Sequence, residues 1–260
     1  MNLNISGKNA FVTGGTRGLG LAAVRSLARE GVNVSYCARS TKSVERIDNE
    51  LNSLKIKSFG VVSEINNNYS SLETLINTVE DKLGPIDILV NNVGGSLGSD
   101  SLINDDLINY ENVFDINFWA SLKLMKIVSS GMIQRRWGRI INIASIFGRE
   151  LGGKSSSYMS SKASLIAATK HLAIETANTG ITVNSIAPGS IKHDGGSWEK
   201  FVRTSESHEV DKFIEDNMPM GEFGKPEPVG DMVAFLSSKL AFTITGACIN
   251  IDGGQSRSLF

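Results

Sequence analysis

Short β-branched runs alternate along the whole chain with longer segments of helical period, and this alternation constrains the fold more than any other feature. Strands are expected at 9–13, 33–38, 57–62, 86–91, 139–144, 182–187 and 247–251. Most of these runs are too apolar to leave a face in water, so they belong to a parallel sheet covered on both sides. The segments 19–30, 43–54, 71–83, a long one around 111–134, 158–179 and 228–237 carry helical spacing and supply that cover. The expected fold class is α/β: a Rossmann-type, doubly wound parallel sheet of about seven strands with helices on both faces.

At 260 residues, with no internal repeat and no low-complexity linker, the chain reads as a single domain, 1–260. Its rhythm breaks once. Residues 189–224 hold no strand pattern but carry Gly195, Gly196, Trp198, Phe201 and Phe213, a polar and aromatic insertion after the sixth strand. An insertion of this kind beyond the carboxyl end of a strand is expected to be a lid or binding loop, the alternative being a mobile surface loop.

Lys and Arg total 26 against 27 Asp and Glu, and neither sign forms a block, so nucleic acid and anionic membranes are not expected partners. A small-molecule substrate is. Cys37 and Cys248 fall in apolar strand-like runs and read as small buried hydrophobes rather than a disulfide, which fits a reducing cytoplasm. Residues 1–8 are polar and lack the apolar stretch of a signal peptide, and no run reaches the roughly 18 apolar residues of a spanning helix. No metal ligands are assigned.

Directly after the first strand comes Thr13-Gly14-Gly15-Thr16-Arg17-Gly18-Leu19-Gly20, and a helix opens there. Glycines let a backbone take positive φ and approach a pyrophosphate, whose charge meets the free N–H groups at the helix start. The spacing departs from G-x-G-x-x-G, and on its own such a turn could simply cap a helix. The end of the second strand reads Ala38-Arg39-Ser40, without the acid that usually holds the ribose 2′-hydroxyl of NAD. Arg39, with Arg17 from the glycine turn, suits a 2′-phosphate, since a guanidinium forks onto phosphate oxygens. NADP(H) is therefore the preferred cofactor, with NAD(H) possible.

Thr-Gly-x-x-x-Gly-x-Gly is where a family resemblance begins. Asn91-Asn92-Val93-Gly94 follows the fourth strand, Asn117 sits in the long helix, Ser145 ends the fifth strand, and Tyr158 and Lys162 follow as Tyr-x-x-x-Lys. Pro188-Gly189 closes the sixth strand, and Asp252-Gly253-Gly254 lies near the end. In this order, over nearly the whole chain, the set resembles the short-chain dehydrogenase/reductase family, most broadly the 3-oxoacyl-carrier-protein reductases.

The resemblance implies that Tyr158 is the proton donor or acceptor and that Ser145 holds the substrate oxygen. Lys162 would contact the nicotinamide ribose, and Asn117 would support a proton-relay water. It implies a cofactor lining of Gly14, Thr16, Arg17, Gly18, Leu19 and Gly20, then Arg39, Ser40, Glu64 and Ile65, then Asn92, Val93 and Gly94, with Tyr158, Lys162, Pro188, Gly189 and Ile191. Tyr158 and Lys162, four apart, share one helix face, where an ammonium is expected to lower a phenol whose ordinary pKa is near 10.

Three positions depart from the family pattern. Glu64 stands in the slot of an adenine-contacting Asp, either reaching the same edge or solvated; Val93 replaces a common Ala; and His193 replaces a Thr that touches the cofactor. His193 reads as a loop residue rather than a catalyst. The expected activity is NADP(H)-dependent ketone reduction. A sugar or polyol dehydrogenase and a catalytically silent nucleotide-binding protein are the alternatives. The resemblance also implies a homo-oligomer, most plausibly a tetramer. Ser161, Ala163, Ser164, Ala167 and Ala168 on one helix, and Phe118, Trp119 and Met125 on the long one, are compatible with assembly or with packing on their own sheet.

Overall fold

Ala10 and Val12 point to one face of the first strand and Phe11 to the other, yet all three are fully buried. A strand buried on both faces belongs in the middle of a covered sheet. In a computed structural model that describes residues 2–259, this strand, β1 (Asn9–Thr13), is third in a seven-stranded sheet. The others are β2 (Asn33–Ala38), β3 (Ser58–Val62), β4 (Ile88–Asn91), β5 (Gly138–Ile143), β6 (Ile181–Pro188) and β7 (Cys248–Ile251). All neighbours pair parallel, in the order β3-β2-β1-β4-β5-β6-β7. The order reverses between β1 and β4, and a ligand crevice opens at such a switch point.

The helices are α1 (Gly18–Arg29), α2 (Thr41–Leu51), α3 (Tyr69–Leu83), α4 (Leu107–Phe114), α5 (Ala120–Arg135), α6 (Ser156–Glu175), α7 (Ser197–Thr204), α8 (Ser207–Asn217) and α9 (Pro226–Leu236). Leu27 of α1, Ile47 of α2 and Val233 of α9 join Val12 and Val90 in one core layer. Leu75 of α3, Leu124 of α5 and Leu165 of α6 join Phe11 and Leu89 in the other. These layers are the two covered faces foreseen from the alternation.

Two expectations change. The long segment around 111–134 is not one α-helix: α4 and α5 are joined by a π-helical turn at Asp115–Trp119, with Asn117 fully buried inside it. The insertion 189–224 holds two helices, α7 and α8, held together by a cluster of Trp198, Phe201, Phe213 and Phe223 with ring centroids 4.7–5.8 Å apart. Its base is pinned where Lys192 N donates to Gly224 O and Gly224 N to Ser190 O.

Cys37 is buried and Cys248 half-buried, and both are free thiols; burial pushes the Cys37 thiol up to about 11. Met125 and Ser161 are turned into the protein's own core, whereas Ala163, Ala167 and Trp119 face outward. Among the described residues no helix is long and apolar enough to cross a membrane.

Candidate active site

The turn after β1 can be made only by glycine. Gly14 and Gly18 have φ of +68° and +54°, and a Cβ on Gly20 would lie 2.3 Å from the Gly14 carbonyl oxygen. The chain is thereby folded tightly enough to aim the start of α1 at the crevice. Arg17, the residue before that helix, gives no side-chain cap, and the first turn holds no acid, so the leading N–H groups stay available to an anion. Thr13 fixes the turn from below. Its hydroxyl accepts from Asn92 N (2.8 Å) and Val93 N (3.0 Å), and Asn92 Nδ2 donates to Thr13 O at 2.8 Å.

One cavity of about 1160 Å³ runs from this turn across the carboxyl ends of the strands. Of the residues expected around a cofactor, Gly14, Thr16, Arg17, Gly18 and Leu19 line it, as do Arg39, Ser40, Glu64, Ile65, Asn92, Val93, Gly94, Pro188, Gly189 and Ile191. Ser145, Tyr158 and Lys162 line the same cavity. Gly20 does not; it serves by close packing on Gly14. Asn117 also sits behind the wall. Its side chain brackets Gly95, accepting from Gly95 N at 3.0 Å and donating to Gly95 O at 2.8 Å, and also donates to Val113 O at 2.8 Å. A Cβ on Gly94 would fall 2.4 Å from Asn117 Oδ1 and 3.1 Å from Lys162 Nζ, so glycine there lets the loop lie against both groups.

Ser145 lies just past the end of β5 and caps the 3₁₀ turn Ile146–Gly148, its Oγ accepting from Phe147 N at 3.2 Å. Tyr158 and Lys162 project from α6, with Lys162 Nζ 5.7 Å from the Tyr158 ring centroid. Lys162 is 2% exposed, and its Nζ donates to Ile143 O at 2.7 Å. Burial lowers this ammonium from 10.5 to about 8. Burial also pushes the Tyr158 phenol up, and the neighbouring Ser145 hydroxyl draws it part of the way back. This corrects the expectation of a lowered phenol: in the folded chain desolvation is the larger effect and outweighs Ser145. Tyr158 is thus protonated at neutral pH, while Lys162 is still mostly charged.

The arginines are engaged in ways their spacing does not reveal. Arg39 pairs with Glu64 at 3.6 Å, both side chains being largely exposed, and both line the cavity. Arg17 Nη1 donates to Gly195 O at 3.1 Å and so ties the glycine turn to the insertion. The His193 ring rests on Gly18: a Cβ there would fall 2.7 Å from it. Arg46 had not been singled out, yet its Nη2 donates to Thr16 O at 2.7 Å. Its position in the first turns of the helix after Ser40 was the available signal. Gln255 was missed as well: it accepts from Ser190 N at 2.7 Å and donates to Ser190 Oγ at 2.9 Å, fastening the C-terminal segment to the start of the insertion.

The profile of the family described as "short chain dehydrogenase" matches residues 8–199. The 3-oxoacyl-acyl-carrier-protein reductase of Aquifex aeolicus is 34% identical over 260 residues, covering 98% of this chain and 100% of that protein. Among solved structures, a variant of actinorhodin polyketide ketoreductase with NADPH superposes with a TM-score of 0.88 at 30% identity, over 96% of this chain and 98% of that one. L-sorbose reductase from Gluconobacter frateurii, complexed with NADPH and L-sorbose, superposes with a TM-score of 0.92 at 25% identity over 100% of both chains. Matched by the family profile over most of its length and by a curated relative from end to end, the chain belongs to the short-chain dehydrogenase family and is an oxidoreductase acting on CH–OH or C=O groups.

Proposed function

We propose that this protein is an NADP(H)-dependent ketoreductase in which Tyr158 gives the proton to the carbonyl oxygen. The observation that carries the reading is that Ser145, Tyr158 and Lys162 line the same cavity as the uncapped start of α1. A reduced nicotinamide would supply the hydride. As the carbonyl carbon takes it up, negative charge gathers on the oxygen, where two hydroxyl donors stabilise it. Ser145 orients the oxygen and Tyr158 transfers its proton, so the C=O bond becomes CH–OH with one hydride and one proton added. A phenol held above its ordinary pKa is a competent donor at neutral pH, and the nearby Lys162 ammonium stabilises the phenolate left behind. Asn117 holds the 94–95 loop against Lys162 and is a positioning residue.

The cofactor reading rests on the chain's own residues. The glycine turn accommodates a diphosphate, and Asn92, Val93, Ile65 and Ile191 form walls beside it. Arg39 and Ser40, with no carboxylate at the end of β2, favour a 2′-phosphate over a bare ribose hydroxyl. The solved neighbours named above carry NADPH. The insertion 189–224 acts as the lid over substrate, within a single unit spanning 1–260.

A second reading, reduction of a sugar, is favoured by the end-to-end likeness to L-sorbose reductase. A panel of ketones, ketoesters and ketoses assayed with NADPH and NADH tests both. Ketone turnover with at least a tenfold higher kcat/KM for NADPH is expected, as one charge-assisted contact supplies about that much. An NADH preference would overturn the cofactor assignment.

A further inference from the structure

A second chamber of about 370 Å³ adjoins the main cavity between the turn after β5, helices α7 and α8, and the C-terminal segment. Ile146, Phe147, Gly152, Gly153 and Trp198 line both spaces, so the chamber adjoins the space beside Ser145 and Tyr158. Three ring faces, of Phe147, Trp198 and Phe213, form part of the chamber wall. Phe147 lies so close over Gly152 that a Cβ there would come within 2.1 Å of the ring. Trp198 and Phe213 stand 4.7 Å apart, and Phe223 backs both, at 5.4 and 5.7 Å.

Glu150, Asp216, Asn217, Gln255 and Arg257 also line the chamber, and three of these side chains are engaged by the protein itself. Glu150 accepts from Arg257 N at 2.9 Å, Asn217 Nδ2 donates to Phe213 O at 3.0 Å, and Gln255 is bound to Ser190. An aromatic group placed here gains ring contacts with Phe147, Trp198 and Phe213. An apolar cavity of about 150 Å³ holds benzene, so this one has room on the order of two rings.

We propose that this chamber selects the substrate class: a ketone carrying a flat, apolar, one- or two-ring substituent that rests between Phe147, Trp198 and Phe213. The inference rests on the ketoreductase reading of the Ser145–Tyr158 site. Methyl ketones bearing a methyl, a polyhydroxyalkyl, a phenyl or a naphthyl group are compared as substrates of the intact protein with NADPH. Binding of naphthyl methyl ketone is measured separately by calorimetry on Tyr158→Phe.

A kcat/KM for the naphthyl ketone at least about thirty-fold above that for the small ketone is expected, within the range that apolar pockets supply. In Phe213→Ser, and in Asn217→Phe as a second variant that narrows the chamber, the naphthyl-to-methyl ratio should fall about tenfold, through KM. Turnover with no aryl preference, a preference for the polyhydroxyalkyl ketone, or an unchanged ratio in both variants overturns the chamber. Tight naphthyl ketone binding that weakens in Phe213→Ser, with no turnover of any ketone, supports the chamber and overturns the ketoreductase reading instead. Neither binding nor turnover overturns both.

Discussion

Lys162 should make the folded protein less stable while serving its chemistry, and Lys162→Met is the perturbation that separates the two. The ammonium is 2% exposed and donates to the Ile143 carbonyl. Its displacement from 10.5 to about 8 corresponds to a cost of about 3 kcal/mol for keeping the charge inside, at about 1.4 kcal/mol per pH unit. Methionine keeps the length of the side chain and removes that cost. It also leaves the Ile143 carbonyl without its donor, which returns about 1–2 kcal/mol. The variant should therefore be about 1–2 kcal/mol more stable at pH 7 in urea melts without added cofactor, and lose most turnover.

The pH dependence carries the sign. Between about 8 and 10.5 the unfolded chain binds more protons at this lysine than the folded chain, so wild-type stability rises with pH across that window. The gap between variant and wild type should narrow over the same range and be full below it. A variant destabilised by more than about 1 kcal/mol at pH 7, or a gap that does not change with pH, would refute the reasoning.

Arg39→Ala should weaken NADPH binding by about 1.5–3 kcal/mol and leave NADH nearly unchanged by calorimetry. Because Glu64 holds Arg39 in an exposed pair, Glu64→Gln should tighten NADPH about twofold; weaker binding would mean that Glu64 itself contacts the nucleotide. Hydrogen exchange across α7 and α8 should be much faster than in β4 and β5 and slow when cofactor and ketone are added together, and equal protection without ligand contradicts a lid. Light scattering at micromolar concentration should give an oligomer, with a tetramer expected through α5 and α6; a monomer refutes assembly, and Ala167→Arg should dissociate the oligomer.

Much of this was legible because buried strands and amphipathic helices have different periods. The seven strands and the sheet type follow from runs such as Phe11–Val12 and Ile140–Ile141, and every strand boundary lies within two residues of expectation. Tyr158, Lys162 and the glycine turn were legible because their chemistry is local: four residues make one helical turn, and positive φ calls for glycine. The π-helical turn at Asp115–Trp119 was not, since a single widened turn leaves no mark in composition. Helices α7 and α8 are short and mostly polar, and tertiary ring packing holds them. The bonds from Arg46 to Thr16 and from Arg39 to Glu64 join residues 30 and 25 apart, beyond any periodic signal. Which faces of α5 and α6 turn outward was equally hidden, because apolar and small residues occur all around both helices; Met125 and Ser161 proved to be core.

The central claim is that the Tyr158 phenol delivers the proton. Single-turnover reduction of an aryl ketone by wild type and Tyr158→Phe, each saturated with NADPH whose affinity is measured in parallel, tests it most directly. The account predicts a fall of about 10²–10⁴-fold in the rate of NADPH oxidation with the NADPH dissociation constant within about threefold of wild type. A Tyr158→Phe rate within a few fold of wild type would contradict it.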